Sequence, residues 1–449
     1  MGMKFSEAAE LLGRKARPDE KELVITGYST DTRTIRAGDM FIAIKGENFN
    51  GADFINKAIE KGASSIMTAL AIEGRGIINV DDPVAALGKL AAYNRKKFGI
   101  PVIAITGSTG KTSVKNMLVS VLSQKFNVHH TEGNLNNHIG LPMTLLDMNG
   151  GHEISVIEMG MNAMGEIDYL ASIASPTAAV ITNIGTAHIG MLGSRENIFL
   201  AKTEVVRHIE EGGTLIINGD DEFLAGFVPE NGCSVISYGM PGNNDAAAED
   251  IMRDKDGNYS FRSNQTLFNL NMPGKHNIYN ALAAIAAGRL FGVPEELIQK
   301  GIAETTAGKM RLNIYEAGGV RFINDAYNAN PQSMEAALDI LCLYEGRRIA
   351  VLGDMLEMGK FSKDAHEKLG SIAAACSDIL LFCGEEAGSV RTGAEEAGMD
   401  GGSIHILKDS DEAGDLLKSI LKPGDTVLVK GSRGMKMENV LKYTGDGVQ

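Results

Sequence analysis

The chain has 449 residues, 44% of them hydrophobic and 22% charged, with a formal net charge of −14. That length exceeds one ordinary hydrophobic core and implies two or three domains of a globular protein. The acidic balance argues against a nucleic-acid partner, which requires clustered Lys and Arg, and no apolar run reaches membrane-spanning length.

The predicted elements then follow in chain order. Residues 24–26 and 40–44 read as strands around a polar turn, and 52–61 as a helix. Asp81-Asp82-Pro83 punctuates a boundary, and a helix over 84–97 feeds the next strand. The middle of the chain alternates strands at 102–106, 154–158, 178–182 and 214–218 with helices at 113–123, 165–174 and 197–210. Such alternation implies a parallel sheet with right-handed crossovers. Residues 245–270 look polar and irregular, and 277–291 is an Ala- and Leu-rich helix. A second doubly wound block follows, with strands at 320–324, 348–352, 379–383 and 426–429 and helices at 331–343, 363–375 and 411–421. The expected architecture is α/β in three units: 1–83, 84–312 and 313–449. Cys233, Cys342, Cys376 and Cys383 are scattered with no C-x-x-C pair and read as buried thiols. With no secretory apolar segment at the start, they point to the cytoplasm.

The segment with the most chemical content is Ile103-Ala104-Ile105-Thr106-Gly107-Ser108-Thr109-Gly110-Lys111-Thr112. A buried strand leads into a glycine-flanked turn that ends in Lys-Thr and opens a helix. Backbone N–H groups of such a turn cradle phosphates, Lys111 reaches the terminal ones, and the Thr112 hydroxyl suits Mg²⁺. The strict eight-residue loop would need glycine where Ile105 stands, so this is a tighter variant; a nucleoside triphosphate is the expected ligand.

Other polar groups fall at strand ends. Glu158 ends its strand at the height of the phosphates, where a Mg²⁺ ligand is needed, although a plain surface acid is the alternative. His188, on a glycine-bearing loop after the next strand, reads as a ligand or charge stabiliser, with a structural hydrogen-bonding histidine as the alternative. Lys202 lies on a largely apolar helix face, and the residues around it favour a surface lysine paired with nearby glutamates. Asp325 suits a ribose hydroxyl or a helix cap, and spacing leaves both open. Met159, Met161 and Met164 read as gap-filling core rather than a soft-metal site.

In this order the motifs resemble the Mur ligase family across nearly the whole chain. They include Tyr28-Ser29-Thr30-Asp31-Thr32-Arg33, the Thr-Gly-Ser-Thr-Gly-Lys-Thr loop, Glu132-Gly133-Asn134-Leu135-Asn136-Asn137-His138, and Glu158-Met159-Gly160-Met161-Asn162. Ala201-Lys202-Thr203-Glu204, Tyr327-Asn328-Ala329-Asn330-Pro331 and Leu352-Gly353-Asp354-Met355-Leu356-Glu357 continue the series, the last two pointing to the branch that handles D-alanyl-D-alanine.

The resemblance implies a monomeric ATP- and Mg²⁺-dependent ligase acting on UDP-N-acetylmuramoyl-tripeptide and D-alanyl-D-alanine through an acyl phosphate. It implies that Ser29, Thr30, Asp31 and Arg33 hold the UDP end, while Asn136 and Asn137 face the muramyl peptide. Lys111, Glu158, His188 and Lys202 would be catalytic. Gly107, Ser108, Thr109, Gly110, Lys111 and Thr112 would bind the ATP phosphates, with His276, Asn277 and Asn280 at the adenine. Arg311, Asp325 and Asn328 would reach ATP from the other side. Thr112, Glu158, His188 and a carbamylated Lys202 would hold metal, which reverses the surface reading of Lys202. Asp354, Glu357 and Lys430-Gly431-Ser432-Arg433 are implied to position the dipeptide or peptide tail. The hinge departs from the family pattern, because Ala307-Gly308-Lys309-Met310-Arg311 has no adjacent Gly-Arg pair. A regulatory nucleotide switch is the rival reading from another class, and folylpolyglutamate synthase the rival within this one.

Overall fold

In the computed structural model, which describes residues 2–46, 49–255 and 257–443, three main sheets and two smaller ones carry the chain. The first has four parallel strands, Gly27–Ser29, Asp39–Ala43, Ser65–Thr68 and Ile77–Asn79. One expectation is corrected here. Val24–Ile25 does not partner the strand over 39–43 but pairs antiparallel with Met3–Lys4, and Gly27–Ser29 takes the place beside it. Two short strands separated by one residue cannot be told apart by periodicity.

The central sheet has seven parallel strands, with Val102–Thr106 between Ile154–Glu158 and Ala178–Ile181. Thr214–Asn218, Ser234–Gly239 and Ala246–Ala247 extend one side, and Val128–His130 the other. Burial on both faces explains why these strands read as unbroken apolar runs. Ile103, Ile105, Val156 and Val180 are all fully buried, each worth about 1.5–3 kcal/mol of apolar burial. Above them lie the helix Lys111–Leu122, through Val114, Met117, Leu118 and Val121, and the helix His276–Leu290. Gly301, on the helix Glu295–Glu304, packs so tightly that an added Cβ would meet the Val121 Cα at 2.5 Å.

The stretch 245–270 is not irregular. Glu249–Arg253, Asn258–Ser263 and Thr266–Pro273 form a three-stranded antiparallel sheet. Its polar residues alternate with Phe261, Phe268, Leu270 and Met272, which face the core, so one wet face hid the strands.

The third sheet runs Asn313–Ala317, Val320–Asn324, Thr426–Lys430, Arg348–Gly353, Ile379–Cys383 and Ile404–Leu407, parallel except for the first strand. The cysteine expectation fails for one pair. Cys342 and Cys376, beside the ends of Pro331–Leu341 and Ser362–Cys376, are disulfide-bonded, whereas Cys233 and Cys383 are buried free thiols. Two helices packed side by side bring together residues 34 apart in the chain, which spacing alone does not reveal. Among the described residues, no helix is long and apolar enough to cross a membrane.

Candidate functional site

The turn after Val102–Thr106 is built for close backbone approach. Gly107 (φ 145°) and Gly110 (φ 80°) occupy conformations that favour glycine. A side chain at Gly107 would collide with the Thr182 hydroxyl, and one at Gly110 would meet Asn280 Oδ1 at 2.6 Å. The loop is also braced from the neighbouring strand. Thr109 N–H and Oγ1 both donate to Asn183 Oδ1 at 3.1 Å, and Asn183 Nδ2 returns a bond to Thr109 O at 3.2 Å. Gly185 N–H donates to Ser108 Oγ at 2.9 Å. Spacing gave no sign of this brace, because it spans more than 70 residues.

Glu158, only 3% exposed, sits at the tip of the adjacent strand. Thr112 Oγ1 donates to its Oε2 at 2.8 Å, and Asn136 Nδ2 to its Oε1 at 2.7 Å. The surface-acid alternative therefore fails. Asn137 Oδ1 accepts from Ile139 and Gly140 N–H groups, opening the next helix beside the site.

Lys111 Nζ donates to Gly107 O at 2.7 Å, and burial lowers its pKa, with Glu158 opposing and Arg311 adding to the shift. Lys202 overturns the surface reading made from its neighbours. It is 1% exposed, and burial, reinforced by the Lys111 charge, pulls its pKa well below the usual lysine value. Of the nearby glutamates, Glu204 is used elsewhere, accepting from Gly165 and Asp168 N–H groups. Lys115 is a second buried amine that the motifs missed; its Nζ donates to Thr131 O at 2.7 Å, and the Thr131 hydroxyl accepts from Glu158 N–H at 2.9 Å.

A cavity of about 880 Å³ joins this face to the third sheet. Its walls include Lys111, Thr112, Asn136, Glu158, His188, His276, Asn280, Arg311, Asp325, Asn328 and Lys430. Burial pushes the His276 imidazole down to about 4, against the opposing pull of Asp325, so that ring is neutral. Asn277 Nδ2 donates to Pro273 O, and Asn280 Nδ2 to Asn277 Oδ1, which fixes both amides. Tyr279, not singled out from sequence, also lines the cavity and donates its hydroxyl to Asp220 Oδ2 at 3.0 Å.

Arg311 lies in a strained hinge, flanked by Met310 and Leu312 with positive φ. Its guanidinium stacks on the Tyr327 ring, 3.9 Å from the centroid. Asp325 is not a helix cap: Asn330 caps Pro331–Leu341, while Asp325 accepts from Leu312 N–H and pairs with the buried Lys430. Lys430 Nζ also donates to Asn328 O at 2.9 Å. Met159 and Met161 are core as expected, whereas Met164 is half exposed at the cavity wall.

Several expected residues lie elsewhere. Ser29, Thr30, Asp31 and Arg33 do not line this cavity. They end the strand Gly27–Ser29, where Ser29 Oγ donates to Asp31 O and the Asp31 carboxylate pairs with the exposed Arg33. Asp354 holds a turn in its own unit, accepting from Glu385 and Glu386 N–H groups. Glu357 meets His188 instead, its Oε2 lying 2.6 Å from His188 Nδ1.

A braced phosphate loop facing a second doubly wound sheet across a polar cavity defines a nucleotide-using enzyme. Family models match three successive segments: the Mur ligase family catalytic domain over 24–95, the Mur ligase middle domain over 105–288, and the Mur ligase glutamate ligase domain over 310–433. The UDP-N-acetylmuramoyl-tripeptide–D-alanyl-D-alanine ligase of Bacillus subtilis (strain 168) is 39% identical, covering 96% of this chain and 95% of the relative. The Escherichia coli (strain K12) enzyme of the same name is 35% identical, covering 94% of each chain. The crystal structure of MurF from Acinetobacter baumannii superposes with a TM-score of 0.88 at 34% identity, covering 98% of this chain and 97% of that one. MurF from Thermotoga maritima in complex with ADP gives 0.83 at 30% identity, covering 94% and 97%. The chain belongs to the Mur ligase family, and within it is a MurF-type ligase.

Proposed function

We propose a division of labour for the ligase reaction, in which D-alanyl-D-alanine is joined to UDP-N-acetylmuramoyl-tripeptide with conversion of ATP to ADP and phosphate. Amide formation in water needs an activated acyl group. The tripeptide carboxylate attacks the γ-phosphorus, the bond to the β-phosphate oxygen breaks, and an acyl phosphate forms. The dipeptide amine, after losing a proton, attacks the acyl carbon, and phosphate leaves from a tetrahedral intermediate.

Phosphoryl transfer is mainly positioning and charge neutralisation. The loop amides of residues 107–112 and the helix N-terminus hold the phosphates, and Lys111 neutralises them. Asn277, Asn280 and His276 line the adenine, while Arg311, Asp325 and Asn328 approach the nucleotide from the third unit. Asn136 and Asn137 face the muramyl peptide, with Ser29, Thr30, Asp31 and Arg33 at the UDP end.

Mg²⁺ fits this donor set. Thr112 and Glu158 supply adjoining oxygens. That suits an ion held by few protein ligands together with phosphates and water. Thr112 and Glu158 would hold one ion, and Glu158, His188 and Lys202 a second; bound Mg²⁺ would neutralise developing charge on the phosphoryl oxygens. Lys202 joins the set through its chemistry. Burial favours the uncharged amine of Lys202, the form that can add to CO₂ with loss of a proton to make a carbamate oxygen donor.

The observation that carries this reading is one cavity lined by Lys111, Thr112, Glu158, Asp325 and Lys430. The division into units 1–83, 84–312 and 313–449 is part of this reading and is supported by the separate sheets; residues 444–449 lie outside the described residues. A monomer working in the cytoplasm completes the proposal. The test is phosphate release from ATP with Mg²⁺, each substrate omitted in turn. Release that requires both the tripeptide and the dipeptide, with a product heavier by the dipeptide, supports the ligase; release indifferent to both favours a nucleotide switch.

A further inference from the structure

Two residues in the left-handed region meet where the central and third units touch. His188 (φ 63°) follows the central strand Ala178–Ile181, and Glu357 (φ 64°) follows Arg348–Gly353 of the third sheet. They are 169 residues apart, yet His188 Nδ1 and Glu357 Oε2 are 2.6 Å from each other. The backbone supports the contact. Gly190 N–H donates to Glu357 O at 3.0 Å. A Cβ on Gly190 would run into that same carbonyl and into Gly359 N at 2.6 Å. Thr186 adds a second tie, its hydroxyl donating to Gln332 Oε1 at 2.9 Å. Such positive φ values are uncommon outside glycine, and here two of them serve one pairing.

A carboxylate at Nδ1 takes the Nδ1 proton in hydrogen bonding and leaves Nε2 as the lone-pair nitrogen. The His188 ring lines the cavity that Lys111 and Glu158 also line. We propose that Glu357 is a positioning residue for His188: reaching over from the third unit, it fixes the imidazole tautomer and ring so that Nε2 serves the metal and phosphate side of the cavity. Docking of the third unit thereby completes a site that the central unit holds only in part. This rests on the assignment of His188 to the metal under the proposed function.

The test uses the full chain and two readouts besides turnover. The first is Mg²⁺ dependence of ADP binding by calorimetry. Loss of such an outer partner typically weakens metal binding by 10–100-fold, so Glu357→Asn should need roughly tenfold more Mg²⁺. Asparagine tolerates the left-handed backbone but is one methylene shorter, so the fold is kept while the reach is lost. Glu357→Gln, which retains an acceptor, should lose less. In a His188→Ala background Glu357→Asn should add nothing. The second readout is imidazole ¹⁵N shifts, with the His188 signal identified by its loss in His188→Ala. Wild type should carry the proton on Nδ1, and Glu357→Asn should mix the tautomers. An unchanged Mg²⁺ requirement in Glu357→Asn, or an equal loss in the His188→Ala background, overturns the proposal. If His188→Ala itself leaves the Mg²⁺ requirement unchanged, the metal assignment falls and takes this proposal with it. A loss in His188→Ala alone overturns only the role of Glu357.

Discussion

The two walls of the cavity are built in different ways. On the central wall, phosphate-binding groups come from one contiguous segment, and the neighbouring strand braces that segment through Asn183 and Thr182. On the facing wall the polar groups come from separate turns: Asp325 is paired with Lys430 inside the third unit, and Glu357 reaches across to His188 of the central unit. The central wall is a glycine-flanked loop held in shape by hydrogen bonds to the neighbouring strand. The facing wall holds groups already engaged with partners, one of them reaching over to the central unit. We read the first wall as the one that binds and the second as acting by where it is placed. Variants in the first should damage chemistry directly; variants in the second should act through docking and stability.

The largest effect should come from Lys111. In its proposed role Lys111 neutralises the phosphates, so Lys111→Ala should cost on the order of 10²–10³ in turnover, as loss of one such stabiliser does. Steady-state turnover with both acceptors present checks this, and a loss under tenfold would break the view of the central wall as the chemical one. Lys202→Ala should also lower turnover by roughly two orders of magnitude. Nucleotide should still bind, because the loop that holds it is untouched. Near-normal turnover in that variant would return Lys202 to a packing role.

The same contrast governs what the sequence discloses. The phosphate loop is local: strand, glycines, Lys111 and Thr112 are consecutive, and the predicted strands over 102–106, 154–158 and 214–218 match the observed bounds. Lys202 shows where local reading stops. Its neighbours along the helix suggested a surface lysine, but Glu204 is drawn off to cap the helix Glu166–Ala174, and tertiary packing buries the amine. The site role came from resemblance, not from spacing. The antiparallel sheet over 249–273 was missed because alternate residues face solvent and no apolar run survives. The Cys342–Cys376 bond and the His188–Glu357 contact were hidden for another reason, since each depends on which elements lie side by side.

Effects on the facing wall should appear first as stability, with turnover changing less than at Lys111. Lys430→Met leaves Asp325 without its cation, and removing one partner of a buried pair costs about 3–5 kcal/mol. Urea unfolding should report that loss, with nucleotide binding weakened in step. A large fall in turnover without destabilisation would instead make Lys430 a direct participant in the chemistry. The pH dependence separates framework from site. His129, buried against Ser155 and Thr144, has its pKa pushed down to about 4 by burial. An unfolded chain binds that proton near pH 6.5 and the folded chain does not. His129 therefore contributes stability above pH 6.5 that is lost as pH falls towards 4. His129→Asn should flatten acid destabilisation in that window, and an unaltered acid limb would count against a buried neutral ring.

The smallest effect tests whether a residue on the facing wall is scaffold or ligand. Asn330 lines the cavity, yet its Oδ1 accepts from Ser333 N–H at 2.9 Å and its own N–H donates to Ser333 Oγ at 3.0 Å. That reciprocal cap accounts for the side chain without any substrate. If capping is its whole role, Asn330→Ala should cost about 1 kcal/mol and Asn330→Gly only a few tenths, because glycine is itself tolerated at a helix N-cap. Turnover should then follow stability through both variants. A fall in turnover common to Ala and Gly, out of step with their melting temperatures, would show that the amide reaches a substrate. The facing wall would then hold a binding group in its own right, and the contrast between the two walls would narrow to the charged pairs.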